Sequence, residues 1–193
     1  MMYLNSKEGE KMKRVNKPRI RKAKEQNLGF NFRFVHKDAE GNVIEDSGFL
    51  PNHMTDDGIE ELYDVYFRGG SVPDNGFEIG LNTLALAQTS SFIDLVEVAG
   101  TGYVRKAVTR DGTASGFPIL ALDVGNMQIE TATVQFKNTG VSAWDGAVDG
   151  FLNSADSIDG ETLVAFRPLS TTRTLQPGDT LDVTIKVKGQ QPA

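Results

Sequence analysis

Apolar and polar residues alternate through "LGFNFRFVH", where Leu28, Phe30, Phe32 and Phe34 share one face; a period of two predicts a β-strand. The turn chemistry of "DAEGNV", around Gly41 and Asn42, predicts a hairpin in which Val43 to Glu45 returns as the partner. The period then lengthens. Thr55 is placed to cap a helix over "DDGIEELYDVYFR", whose early carboxylates Asp56, Asp57, Glu60 and Glu61 suit the positive end of the helix dipole. Ile59, Leu62, Tyr63, Tyr66 and Phe67 fall on one helical face, and Gly69-Gly70 ends the element. Beyond Gly76 the pattern predicts short strands over 77–86, 94–98, 102–110, 117–124, 127–137, 148–155, 161–169 and 180–188, separated by Gly, Asn, Asp and Pro turns. "TLDVTIKVKG" is the clearest, with Leu181, Val183, Ile185 and Val187 inward. The chain is therefore expected to be mainly β. Residues 76–193 form an antiparallel β-sandwich or jelly-roll-like domain. Residues 28–75 form a hairpin plus one short helix, an anchoring or packing element. Residues 1–27 form an extended basic N-terminal arm.

Charge sharpens the distinction between arm and body. Residues 1 to 26 hold nine Lys and Arg against three Glu, a net of +6, whereas the rest hold 11 basic and 23 acidic residues, a net of −12. A basic tail on an acidic body points to a negative partner. The candidate contact residues are Lys11, Lys13, Arg14, Lys17, Arg19, Arg21, Lys22 and Lys24. Their partner is expected to be the acidic face of a neighbouring subunit. Nucleic acid is the competing partner, bound through phosphates with a salt-dependent affinity, although the arm lacks interleaved aromatics to stack on bases. A solubilising tail is the plain alternative. Met12, followed by Lys-Arg, is a second candidate start of translation beside Met1.

Composition narrows the chemistry. The absence of cysteine excludes disulfides, thiol nucleophiles and thiolate metal sites. His36 and His53 are the only histidines, so a histidine metal centre or a Ser-His-Asp triad would have to use one of them. No apolar run approaches the roughly 18 residues of a membrane span, and no apolar stretch follows the first charges as in a secretory leader. No catalytic residue, cofactor, metal or membrane partner is expected. Asp145, Asp149, Asp156, Asp159 and Glu161 surround loops of the C-terminal half, but no Ca²⁺-loop signature is present, and solvated turn carboxylates are the simpler reading.

"GTGYVRKAV" places Tyr103 and Arg105 behind Gly100 and Gly102. A phosphate-binding turn would need a following helix and further glycines. The expectation is that these glycines turn the chain into a strand and that Tyr103 and Arg105 make fixed structural contacts. Trp144, the single tryptophan, is expected in the core or at a seam.

Taken in order, Gly102, Tyr103 and Arg105, then Trp144 with Gly150 and Phe151, then Pro177, Gly178, Asp179 and Thr180 form a pattern over roughly residues 76 to 189. In this order the chain resembles small β-rich virion structural proteins of tailed bacteriophages. The resemblance implies a non-enzymatic protein of the virion, assembled in the host cytoplasm as a homo-oligomer. The capsid decoration or cement type is expected, fixed to the major capsid protein or other virion proteins by the arm. A tail, neck or fibre-base component is the alternative within that class. Outside it stand a nucleic-acid-binding accessory protein and a carbohydrate-binding receptor-recognition module presenting Trp144 or Tyr103 to sugar.

Overall fold

The structure is a computed structural model that describes residues 28–70, 72, 76–123, 126–156 and 160–189. The arm, with all eight of its singled-out lysines and arginines, lies outside the described residues.

Strand β1 (Leu28–Lys37) is the spine of one sheet. It pairs antiparallel along its whole length with β12 (Thr180–Gly189), in a register that sets Phe30 opposite Val187, Phe32 opposite Ile185 and Phe34 opposite Val183. The apolar faces of the two alternating segments thus coincide, which fixes the register because a one-residue slip would turn both sets to the wrong side. β2 (Val43–Asp46) and β3 (Leu50–Pro51) flank β1 on its other edge. On the far side of β12 lie β8 (Asn126–Glu130) and then β7 (Ile119–Asp123), while β9 (Val134–Lys137) pairs with the opposite end of β12.

The second sheet has the order β4-β11-β10-β5-β6: β4 (His53–Met54), β11 (Gly160–Arg173), β10 (Ala147–Asp156), β5 (Phe77–Asn82) and β6 (Lys106–Val108). The main core lies between the sheets. Phe32, Phe34, Phe136, Leu181, Val183 and Ile185 of the first sheet meet Ile79, Leu81, Leu152, Val164 and Ala165 of the second. Each such buried Phe, Leu, Ile or Val side chain contributes roughly 2 kcal/mol. A smaller cluster of Phe151, Leu163 and Phe166 sits on the other face of the second sheet, beneath Leu86, Phe92 and Leu95. The mainly β, antiparallel, two-sheet architecture is the one the periodicity predicts.

Four local expectations are corrected. The 127–137 strand is two strands, β8 and β9. The backbone N–H of Thr131 donates to Ile185 O (2.8 Å) and its hydroxyl accepts from Ile185 N–H (2.9 Å), so the break is itself hydrogen-bonded to β12. Residues 94–98 hold no strand beyond a single bridge from Glu97 to Asn82, preceded by a 3₁₀ turn at Phe92–Asp94. The 102–110 strand is confined to β6, because Tyr103 and Arg105 are held by side-chain contacts rather than a ladder. Finally, residues 28–75 are not a separate element. β1 is central to the first sheet and β4 pairs with β11, so the sandwich is completed by strands from both sides of residue 76.

Helix α1 (Asp56–Tyr63) begins as expected: the Thr55 hydroxyl accepts from Gly58 N–H at 3.0 Å. Thr55 also donates that hydroxyl to Leu163 O, while its own N–H reaches Val164 O at 3.1 Å. One buried threonine therefore caps the helix and fastens it to β11. The helix then widens into a π-helical turn over Asp64–Arg68, ended by Gly69. Its aromatic side is not covered: Tyr66 is 73% and Phe67 80% exposed.

Candidate functional site

The residues of "GTGYVRKAV" form a crossroads between the sheets and the loops. Gly102 turns at φ 88°, a left-handed conformation suited to glycine. A Cβ on Gly100 would lie 2.2 Å from the Trp144 indole, so only a glycine lets that ring pack there. The Trp144 Nε1 donates to Thr101 O at 3.1 Å, and its backbone N–H to Leu175 O at 3.0 Å. The ring is 2% exposed and meets Tyr103 edge-on, with centroids 5.7 Å apart. Tyr103 in turn stacks on Phe136. Its hydroxyl accepts from Leu81 N–H at 2.9 Å and donates to Glu97 Oε2 at 2.8 Å. Burial, with Glu97 beside it, pushes the phenol well above its ordinary range.

Arg105 gathers three carboxylates. Its Nε and Nη2 donate to Glu97 Oε1 at 2.9 and 2.6 Å, and Nη1 donates to Glu78 Oε2 at 3.2 Å and to Glu161. The guanidinium lies 4.8 Å over the Phe92 ring and 5.9 Å over that of Phe151. Partial burial opposes its charge, yet the hydrogen bonds to Glu97, Glu161 and Glu78 carry its pKa above the ordinary value. Phe151 fills the outer face of the second sheet, and Arg105 locks the loop over it. The cluster is a framework device: three carboxylates hold the guanidinium, which also packs over two aromatic rings.

The Pro177 turn is equally constrained. Gly178 takes φ 91°, its N–H donates to Asn138 O at 2.9 Å, and Asp179 Oδ2 accepts from Gln176 N–H at 3.0 Å. The same oxygen lies 3.2 Å from His36 Nε2, which pins the end of β1 to the entrance of β12. His53 instead stacks on Phe166.

The acidic residues scatter. Glu161 belongs to the Arg105 cluster. Asp149 is fully buried on β10, where Oδ2 accepts from Leu86 N–H at 2.6 Å and Oδ1 has no partner. Burial raises its pKa against the opposing Leu86 N–H. Asp159 lies outside the described residues. Among the described residues no three His, Cys, Asp or Glu converge as metal ligands would. Glu78 and Glu97, missed in the sequence reading, stand 27 and 8 residues from Arg105. The only signal was an arginine at the start of a strand in an acidic body, whose partners spacing alone could not name.

Among the described residues there is a concavity large enough to receive a ligand or a peptide. It is a groove of about 800 Å³ at one end of the sandwich, lined by Phe30, Leu62, Val65, Leu120, Leu152 and Val164 among others. The acidic helix α1 forms one wall. Neither the sequence periodicity nor the landmark residues pointed to it, because its lining comes from seven separate stretches of chain. No protein-family model matches the chain, and no curated protein matches its sequence.

Proposed function

We propose that this chain is a non-enzymatic virion structural protein of a tailed phage, a capsid decoration or cement protein fixed to neighbouring subunits by its basic N-terminal segment. The observation that carries the reading is the use made of the landmark residues. Tyr103, Arg105, Trp144, Phe151 and Asp179 are all engaged in internal packing and hydrogen bonds, as in a building block whose function lies in its shape and surfaces. Trp144 is buried and offers no platform to a sugar, which speaks against the carbohydrate reading. The separation of a +6 segment from a −12 remainder supports contact between unlike parts of adjoining subunits.

The test leaves the chain at full length and replaces the eight lysines and arginines from Lys11 to Lys24 by glutamine. The variant is expected to fold with unchanged circular dichroism and to be lost from purified particles, scored by mass spectrometry. Normal incorporation would overturn the anchoring role. DNA retardation by the parent chain, lost in the variant and at high salt, would favour the nucleic-acid reading instead.

A further inference from the structure

Protein interiors pack to the density of organic crystals, yet a space of about 800 Å³ remains at one end of the sandwich. That is the size of a ligand site, since such sites run from roughly 300 to 1,000 Å³ and are mostly apolar. The first sheet contributes Phe30, Ile129 and Val187 to the lining, and the second contributes Phe77, Leu152 and Val164. Helix α1 adds Leu62. Two further members are apolar and exposed, Leu120 at 69% and Tyr66 at 73%. A space walled in this way offers water few partners and takes up apolar molecules instead.

Three charged side chains reach the lining, and two of them are already engaged. Glu61 Oε2 accepts from the Ser154 hydroxyl at 2.8 Å. Asp111 Oδ1 accepts from the Thr109 hydroxyl and from the Thr113 N–H, each at 2.9 Å. Arg110 is different: it is exposed, and its guanidinium makes no hydrogen bond or ion pair with any described residue. The loop that carries it, between β6 and β7, is held in place. Phe117 N–H donates to Asp111 O at 2.8 Å, and the Phe117 ring meets Phe77 edge-on with centroids 6.0 Å apart. We infer that the groove binds one long-chain fatty acid, with its hydrocarbon chain along Phe30, Leu152, Val164 and Val187 and its carboxylate on Arg110. The anionic head follows from the charges, because both carboxylates have their donors and the cation alone lacks a partner. The hydrocarbon chain follows from the walls. A polypeptide would bring backbone N–H and C=O groups against apolar side chains that cannot pair them.

Calorimetric titration of the full-length protein with octanoate, decanoate and dodecanoate, each below its micellar concentration, tests the assignment. One molecule is expected to bind per chain, with affinity rising about fourfold for each added methylene, the equivalent of moving that group out of water. Decanoate should bind about two- to fivefold more tightly than uncharged decanol, the strength of an exposed ion pair. Arg110→Gln should remove that difference and leave decanol binding as it was. Leu120→Trp, which places an indole in the groove from an exposed position, should abolish saturable binding of dodecanoate. If Leu120→Trp fails to fold, Arg110→Gln and the chain-length series still decide. Affinity that is flat with chain length overturns the inference, as does uptake that does not saturate at one molecule per chain. So does a preference for decanoate over decanol that survives Arg110→Gln. A second copy in the groove would show in sedimentation as a dimer that takes up no decanoate and that Leu120→Trp dissociates, and this result also overturns the inference.

Discussion

Replacing Arg105 by alanine would leave Glu78, Glu97 and Glu161 facing one another without the cation they share. The expected cost is about 2–3 kcal/mol at neutral pH, because the pairs are partly buried and the carboxylates repel once the guanidinium is gone. The deficit against wild type is read from the difference in urea midpoints at pH 7. Lysine should recover part of it, since one ammonium cannot reproduce the forked contacts. An alanine variant as stable as wild type would remove the electrostatic explanation. Asp149 predicts a slope of its own. Its raised folded-state pKa means that the folded chain holds the proton more tightly than the unfolded chain does. Its contribution therefore favours folding at low pH and is lost as pH rises through the interval from the unfolded value, about 3.9, to the folded one. Asp149→Asn has no proton to lose. Its stability relative to wild type should climb over that interval, seen as a growing difference in urea midpoints.

At the scale of the element, α1 shows how local rules and tertiary demand divide the work. The cap was legible because Thr55 before Asp-Asp-Gly is a local arrangement. The second role of Thr55 was not, because its partner carbonyl on Leu163 lies 108 residues away. Thr55→Ala should cost about 1–2 kcal/mol through loss of the cap and the stranding of a buried carbonyl. Thr55→Ser should restore most of it, as read from chemical denaturation midpoints. The helix also shows the limit of periodicity. Its apolar residues share one face as read, but a shared face says only what can be buried. The first turn is packed onto β11, while Tyr66 and Phe67 overhang solvent beside the groove. β1 is the opposite case: its alternation was clear, and its partner β12 alternates in the same sense, so the two strongest patterns pair with each other.

For the whole molecule, the consequence is that residues 28–54 cannot be detached. β1 lies between β2 and β12, and its Phe32 and Phe34 fill the core. Full-length protein should unfold in one cooperative transition. A fragment of residues 76–193 should fail to fold, giving collapsed amide dispersion by NMR and binding of hydrophobic dyes. A well-dispersed spectrum from that fragment would mean that the apolar face of β12 needs no cover.

Sequence alone determined the class of the fold, the strongest strands, the start of the helix and the charge division between arm and body. These are properties of neighbouring residues: alternation, capping and local charge are set within a few positions. Only the tertiary structure decided that Arg105 meets three distant carboxylates, that Asp149 is buried with an unpartnered oxygen, and that the sheets leave a groove beside an acidic helix. Those facts depend on which segments are brought together across tens of residues. Burial and a neighbour's charge are consequences of that approach, and no local pattern encodes them.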